Sequence, residues 1–365
     1  MAAPALDLGR PTRVNSYNNN QTHLVWVIRM EIGFFFWPFN PALVAHMAKA
    51  ADQYGYDMIG IADTPGNAMD PWIAATLVAA NTTTVRVGLV VTNLVSRQPA
   101  VSAAAIASLD RVAEGRTVLG LGAGHSGTHN LGLARSNVAA LEAGIQHIRT
   151  LLQGAPDSHD GATAQIPWIE HAPPVFLAAS GPKTLALGGA VADGVFVNYG
   201  IAAENLAQSQ QRVQKGAEDA NRSLSDVETW QIASLDCNED GAAARKKAGA
   251  ILAFMAGGYI LNTPDLSIQG VPEAYHGAIG ELRQRYSTRP GEADAALVDE
   301  LGLFDYLAGR FAIYGTPEQC IAQLSKARAA GLERVMFTVS VASDPVRTVE
   351  LFGERVLPKF RNTIV

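Results

Sequence analysis

The sequence predicts an α/β protein that folds as a closed (β/α)8 TIM barrel with an insertion after the seventh unit. Eight short apolar segments of strand type alternate with helical segments along the 365 residues. This length accommodates a barrel of about 250 residues plus insertions within one domain. A doubly wound sheet would usually need fewer strands, so the number of repeats favours the barrel.

The predicted strands are runs of apolar, often β-branched residues that end at polar residues or glycine. Each run is shorter than an average helix and is followed by a segment with helical spacing. In chain order the predicted strands are Glu31–Trp37, Met58–Ala62, Val85–Val91, Thr117–Leu121, Val175–Ala179, Gly194–Val197, Glu228–Leu235 and Arg334–Val339.

The predicted helices follow from apolar residues that recur every three or four positions, as Leu141, Ile145 and Ile148 do. Asn137 is predicted to cap that helix, and Thr316–Gln319 forms a capping-box pattern ahead of the last one. In chain order the predicted helices are Pro41–Tyr54, Pro71–Ala80, Ala100–Val112, Val138–Leu152, one beginning at Ser180-Gly181-Pro182, Ala202–Ala220, Ala242–Met255 and Ile321–Ala330.

Two segments depart from this repeat. Residues 1–29 are polar and rich in asparagine, which predicts a disordered N-terminal extension, with a surface-docked arm as the alternative. We therefore expect a single barrel domain over residues 30–365. Residues 257–311 interrupt the rhythm after the seventh unit and begin with a glycine pair. They fit a lid or substrate-pocket insertion, although an inert packing appendage is the alternative.

Composition excludes several classes of partner and site. A net charge of −6 gives no electrostatic footprint for nucleic acid or for an anionic membrane surface. No apolar run reaches the roughly 18 residues that a membrane span needs. Cys237 and Cys320 are the only cysteines, so they can build neither a disulfide framework nor a thiolate zinc site. We expect a cytoplasmic enzyme that acts on a small molecule.

A glycine-rich turn after the fourth strand matches the dinucleotide-binding pattern GxGxxG from Gly122 to Gly127. Read alone, with Glu142 as the ribose-binding acid, it would indicate a Rossmann dehydrogenase. The motif follows the fourth strand instead of the first, and Glu142 falls inside a helix, so we reject that interpretation. His125 and His129 in this turn lack the spacing of a metal-binding helix, and we predict no metal site.

Polar residues follow several predicted strands, where ligands bind in parallel α/β folds. Asp63 and Thr64 follow the second strand, and Asn93 follows the third. Asp63 could bind a ligand or only fix its own turn. Ser180–Lys183 begins a helix with exposed backbone N–H groups and a lysine, which suits a phosphate but also fits an ordinary turn.

Four ordered segments resemble the bacterial luciferase-like monooxygenase superfamily. Within it, the chain most resembles methylenetetrahydromethanopterin reductase and related oxidoreductases that use the deazaflavin coenzyme F420. The resemblance spans Met30 to about Leu357. Its segments are ADTPGNAMDPWIAATLVAANTTTVRVGLVVTN, RQPAVSAAAIASLDRVAEGRTVLGLGAG, PPVFLAASGPKTLALGGAVADGV and YGTPEQCIAQLSKARAAGLERVMF.

The resemblance implies a flavin or deazaflavin at the barrel mouth, with hydride passing between the cofactor and a substrate. It places Asp63 near the hydroxyl edge of the ring. The further residues implied to contact the cofactor are Val90 and Val91, joined by a non-prolyl cis peptide behind the ring, Asn93, the turn residues Gly122, Gly124, His125 and Ser126, and the phosphate-binding residues Ser180, Gly181, Pro182 and Lys183.

Two positions depart from the pattern of F420-dependent relatives. Thr64 stands where many of them have a histidine, and His125 stands where some have an acid. A threonine hydroxyl cannot serve as an acid near neutral pH, whereas an unperturbed histidine titrates near pH ~6.5. We therefore predict that any proton transfer occurs at His125. Thr64 is the second residue that we predict to be catalytic.

We expect an oxidoreductase that moves hydride between coenzyme F420 and a small organic substrate carrying an activated C=C, C=N or carbonyl group. The alternatives are an FMN-dependent monooxygenase on the same fold and a barrel that binds its cofactor without turnover. We also expect a homodimer or higher homo-oligomer.

Overall fold

The computed structural model describes residues 12–15, 24–27, 29–159, 161–287 and 292–361. Eight parallel strands follow one another around a barrel. They are β1 (Glu31–Phe36), β2 (Met58–Ile61), β3 (Arg86–Asn93), β4 (Thr117–Gly122), β5 (Val175–Ala179), β6 (Gly194–Val197), β7 (Glu228–Cys237) and β8 (Arg334–Thr338). Their order is β6-β5-β4-β3-β2-β1-β8-β7, and β6 also pairs with β7. The barrel is therefore closed, as the sequence predicted.

Helices surround the strands, and most of them pack on the barrel through a large apolar cluster. They are α1 (Pro41–Tyr54), α2 (Pro71–Ala80), α3 (Pro99–Val112), α4 (Ser126–His129), α5 (Val138–Leu152), α6 (Pro182–Val191), α7 (Ala203–Asp219), α8 (Gly241–Ala253), α9 (His276–Arg285), α10 (Glu292–Glu300), α11 (Phe304–Phe311), α12 (Pro317–Ala329), α13 (Pro345–Arg355) and α14 (Pro358–Arg361). The predicted caps are present, because Asn137 accepts from Ala140 N and Thr316 forms a capping box. No helix among these residues is both long and apolar enough to cross a membrane.

The barrel interior pairs glycines with larger side chains. A Cβ atom added to Gly60 would lie 2.6 Å from Cγ2 of Val90 and 2.7 Å from Cβ of Phe35. A Cβ atom on Gly120 would lie 2.9 Å from Cγ1 of Val91. No side chain fits at either glycine, so the interior is filled by neighbouring strands and is a packed core.

The amino ends of the strands form the floor of the barrel, which is closed by ion pairs. Arg86 contacts Glu228 at 2.7 Å, and Arg334 contacts Glu31 at 2.7 Å. The indole N–H of Trp230 donates a further hydrogen bond to Glu228. Burial raises the pKa of Glu31. The pKa of Glu228 is lowered, because Arg86 and Trp230 outweigh the effect of its burial.

The insertion follows β7 and α8, where the sequence predicted it, and contains α9, α10 and α11. It packs with α8 around a separate apolar cluster that includes Leu252 of α8, Phe304 and Phe311. The chain then returns through Ala312–Gly315, an unpredicted strand that pairs in parallel with the carboxyl end of β7. The insertion is thus a compact addition at the mouth end of the barrel.

Two short antiparallel strand pairs lie outside the barrel. One joins Asp157–His159 to Ala162–Ala164. The other joins Thr12–Asn15 to Leu24–Val27, within the segment for which the sequence predicted disorder. Apart from this pair and Arg29, residues 1–29 lie outside the described part of the chain.

Candidate active site

Asp63 and Thr92 meet where β2 and β3 end. The Thr92 hydroxyl donates to Oδ2 of Asp63 at 2.6 Å, so the carboxylate bridges two strands instead of only fixing its own turn. Burial raises the pKa of Asp63, and the bond from Thr92 opposes that shift. Within the described residues, Oδ1 of Asp63 has no hydrogen-bond partner. Asp63 can therefore accept a hydrogen bond from a ligand.

The peptide bond between Val90 and Val91 is cis, which confirms the geometry that the resemblance implied. The pairing of β3 with β4 shifts register between Leu89 and Thr92. The side chain of Val91 packs against β4, because a Cβ atom on Gly122 would lie 2.9 Å from Cγ2 of Val91. Val91 therefore lies at the top of the packed interior, directly beneath the mouth.

Asn93 mainly organises its own loop. Its side-chain oxygen accepts from Val95 N at 2.9 Å and from Ser96 N at 2.8 Å. A Cβ atom on Gly127 would lie 3.4 Å from the side-chain nitrogen of Asn93 and 3.1 Å from the carbonyl oxygen of Asp63. The loops after β2, β3 and β4 are therefore in mutual contact.

The glycine-rich turn after β4 leads into the short helix α4. Gly124 has φ +85°, and a Cβ atom there would lie 2.3 Å from Cγ2 of Thr128, so this position requires glycine. Ser126 lies with its hydroxyl 3.4 Å from that of Thr64, which is buried. The structure thus brings the predicted residues of this turn together with Asp63 and Thr64.

His125 is half-buried at the tip of this turn. Burial lowers the pKa of His125, and the nearby Arg135 and His129 lower it further. The imidazole is therefore neutral at pH 7, where it can accept a proton or a hydrogen bond. The dinucleotide interpretation of the turn has no structural support here, since Glu142 is exposed on α5. In the part of the chain that the structure describes, no three His, Cys, Asp or Glu side chains converge to bind a metal.

Ser180–Lys183 forms the turn between β5 and α6. Gly181 is the N-cap of α6 and Pro182 its first residue; glycine has no capping side chain, and the Thr184 hydroxyl accepts from Gly181 N at 3.3 Å. A Cβ atom on Gly181 would have only Thr184 Oγ1 at 3.9 Å and Gln269 Nε2 at 4.0 Å as neighbours. The start of α6 therefore has open space in front of it, as an anion-binding helix terminus needs.

Sequence reasoning missed four residues near this mouth: Asn198, Phe254, Tyr259 and Gln269. Asn198 directly follows β6, and Gln269 belongs to the insertion. Both are buried, and Oδ1 of Asn198 and Oε1 of Gln269 lack a hydrogen-bond partner among the described residues. The glycine pair at Gly257 was the only signal in the sequence that pointed to this region.

A buried arginine fastens the insertion to the mouth. Arg310 donates through Nε to the carbonyl oxygen of Tyr199 at 3.1 Å and through a terminal nitrogen to the Tyr306 hydroxyl at 2.9 Å. Its other terminal nitrogen donates to the carbonyl oxygen of Gln269. Tyr199 follows Asn198 directly, so this one side chain ties Gln269 to the loop after β6.

Comparison with known proteins agrees with this architecture. The sequence profile of the family described as luciferase-like monooxygenase matches residues 24–334, which is most of the chain. The chain belongs to the luciferase-like monooxygenase family. The matched range includes all the predicted site residues, from Asp63 to Lys183.

This luciferase-like chain is similar to a named reductase and to a named F420-dependent dehydrogenase. It is 28% identical over 338 residues to 5,10-methylenetetrahydromethanopterin reductase from Methanolobus tindarius, with 90% of this chain and 100% of the relative covered. It is 27% identical over 345 residues to the F420-dependent glucose-6-phosphate dehydrogenase of Nakamurella multipartita, with 88% and 94% covered. These relatives are a reductase and a dehydrogenase, and the chain is an enzyme of the oxidoreductase class.

A solved structure supports the fold. The coenzyme F420 dependent tetrahydromethanopterin reductase from Methanopyrus kandleri matches with a TM-score of 0.73 at 23% sequence identity. The match covers 91% of this chain and 99% of that chain. At this level of identity the likeness establishes the TIM barrel of the luciferase-like family.

Proposed function

We propose that this enzyme transfers hydride between coenzyme F420 and a small organic substrate at the barrel mouth. The observation that carries the proposal is the assembly of Asp63, Thr64 and the His125 turn above Val91, at the end of the barrel where ligands bind. The names of the relatives supply the choice of F420.

The donor set of the mouth fits such a cofactor. Asp63 has a carboxylate oxygen free to accept a hydrogen bond from the ring, and Val90 and Val91 would lie behind it. Gly122, Gly124, Ser126 and Asn93 would line its edges. At the other end, the open start of α6 at Ser180, Gly181, Pro182 and Lys183 would hold the phosphate. F420, when bound, supplies the hydride chemistry, and the protein supplies orientation and charge.

Two side chains would assist the substrate. His125 is neutral at pH 7 and reaches the mouth from a short, glycine-rich turn, so we assign it the proton transfer. Thr64 is buried beside Ser126, and we assign it the positioning of reacting groups by hydrogen bonding. If no proton is transferred in the reaction, His125 would act only as a hydrogen-bonding partner.

A second candidate is an FMN-dependent monooxygenase, which the description of the matching family favours. The two candidates differ in the cofactor that the purified protein binds. Titration of the protein with F420 and with FMN distinguishes the two candidates, because the cofactors absorb at about 420 and about 450 nm respectively. We expect tighter binding of F420, and tighter binding of FMN would favour the monooxygenase.

Substitution of Gly181 tests the phosphate site. Gly181→Ala should fold normally, since its φ of −113° suits any residue and the space around it is open. Gly181→Glu should bind F420 more weakly by about 2 kcal/mol, roughly 30-fold, because it adds bulk and negative charge. Affinity is measured by fluorescence titration. Unchanged affinity in Gly181→Glu would reject the assignment.

We further propose a homodimer or higher homo-oligomer in the cytoplasm. The support is the outer surface of α2 and α3, where Ile73 is 60% exposed and Val101 is 49% exposed. Helix α2 contains no charged residue, and Thr76 is its single polar side chain, which is typical of a helix that becomes covered. A second copy of the chain is the occupant that we propose, and sedimentation velocity measures the assembly state.

A further inference from the structure

The start of the insertion brings two aromatic rings to His125. The ring centroid of Tyr259 lies 4.6 Å from that of His125. Phe254 stacks on Tyr259 with a centroid distance of 5.4 Å and an interplanar angle of 20°. Phe254 and Tyr259 therefore form one continuous aromatic wall beside the predicted proton carrier.

A π-helical turn over Phe254–Gly258 creates this arrangement at the end of α8. Such turns are rare and are frequent at functional sites. A Cβ atom on Gly257 would lie 2.7 Å from the ring of Tyr286, and one on Gly258 would lie 2.9 Å from it. Tyr286 therefore packs directly on the glycine pair and holds the turn in place.

The Tyr259 phenol also meets Asn198 at the end of β6. Burial raises the pKa of Tyr259, and the hydrogen bond with the Asn198 side chain opposes that shift. The phenol is thus protonated at neutral pH and can donate a hydrogen bond. Oδ1 of Asn198 is buried without a hydrogen-bond partner in the described residues. An unpaired buried oxygen destabilises the protein, and a ligand with an N–H or O–H group would supply the missing hydrogen bond.

Both members of the pair are held from outside. Tyr286 supports the turn that carries Tyr259, and Arg310 binds the carbonyl oxygen of Tyr199, next to Asn198. Each residue is therefore also supported by contacts from outside the pair. Such a pair, with one donor and one acceptor, can select a ligand that carries an acceptor and a donor at matching positions.

We propose that Tyr259 and Asn198 form the polar wall of the substrate pocket. The Tyr259 hydroxyl donates to a carbonyl or imine acceptor of the substrate, and Oδ1 of Asn198 accepts from an adjacent N–H or O–H group. The aromatic wall of Phe254 suits a planar molecule. The substrate class is thus a small planar compound with neighbouring acceptor and donor, such as a lactam. The inference rests on the proposed F420-dependent function.

The test uses F420-loaded protein and two small probes, 2-pyridone and N-methyl-2-pyridone. Both carry the carbonyl acceptor, but only 2-pyridone carries the N–H donor. Wild-type protein should bind 2-pyridone about tenfold more tightly than its methylated form. Tyr259→Phe should weaken both probes by about tenfold, whereas Asn198→Ala should abolish the difference between them. Calorimetric titration gives the affinities.

Tyr275→Phe is the matched control, since it makes the same change elsewhere in the insertion, where Tyr275 stacks on Tyr306. It should leave both affinities unchanged. Equal losses for both probes in Asn198→Ala, or no binding of 2-pyridone to loaded wild type, would overturn the inference. A tenfold loss of F420 affinity in Tyr259→Phe would also overturn it, by making the pair a cofactor contact. Failure of wild type to bind F420 at all would instead reject the proposed function.

Discussion

The floor and the mouth of the barrel differ in whether their polar side chains are paired. At the floor, Arg86 is paired with Glu228, and Arg334 is paired with Glu31. At the mouth, oxygen atoms of Asp63, Asn198 and Gln269 lack partners among the described residues. The floor therefore uses its polar groups for stability, whereas the mouth keeps them available to ligands. A substitution at one end should affect unfolding, and one at the other end should affect binding.

The largest expected effect is at the floor. Glu228→Ala should lower the free energy of unfolding by about 3 kcal/mol, because it leaves Arg86 in a largely buried position without its partner. Urea unfolding measures the loss. Glu333→Ala is the control, since Glu333 is exposed and lies 3.8 Å from Arg334. The F420 affinity of the folded variant should match that of wild type. A loss of affinity together with the loss of stability would contradict the separation of roles between floor and mouth.

The pH dependence of Glu228→Ala sharpens this test. The pKa of Glu228 is lowered from 4.5 in the folded protein. Its stabilising effect is therefore fully present above pH 4.5 and is lost as the pH falls through the folded pKa. The difference in unfolding free energy between wild type and variant should shrink only below pH 4.5.

The next largest effect is at the mouth. His125→Asn should lower turnover by about a hundredfold or more, with F420 affinity and stability nearly unchanged. The pKa of His125 is lowered from 6.5, so a neutral imidazole persists as the pH falls to that value. When the enzyme oxidises its substrate and His125 accepts the proton, the wild-type rate should therefore stay level down to pH 6.5 and decline below it. The matched control is His129→Asn on α4, and turnover of His125→Asn within threefold of wild type would disprove the role.

A smaller effect is expected at Asp63. Asp63→Asn should reduce F420 affinity about tenfold, since it removes the negative charge that favours a ring donor. The raised pKa means that the charged carboxylate destabilises the fold above pH 3.8. The variant should thus be as stable as wild type, or slightly more stable, in thermal unfolding at pH 7. A clear loss of stability would instead show that Asp63 stabilises the fold, as the paired residues of the floor do.

Much of the barrel was predictable because strands and helices carry local signals. The β-branched runs at Val175–Ala179 and Gly194–Val197 have the predicted bounds, as do helices Pro41–Tyr54 and Val138–Leu152. The cis peptide at Val90 was predicted from the resemblance alone, since no local pattern indicates it.

The wall of the mouth was not predictable, because it depends on contacts between distant segments. Tyr259 meets His125 and Asn198 only after the insertion has packed on the barrel. The π-helical turn leaves no periodic signal, and the strand Ala312–Gly315 is too short to distinguish from a loop. Arg310 is buried and binds carbonyl oxygens, but nothing in the sequence distinguishes it from a surface arginine.

The separate apolar cluster of the insertion has a consequence for how such enzymes diverge. Phe304 and Phe311 pack with Leu252 of α8 in this cluster, which is distinct from the cluster between the barrel and its other helices. Mutations there can reshape the wall that faces the substrate, while the Thr92–Asp63 hydrogen bond between the ends of β2 and β3 is kept. Selection can therefore change what the enzyme acts on while its redox chemistry is inherited intact, and exchange of this segment between relatives is a direct route to new specificities.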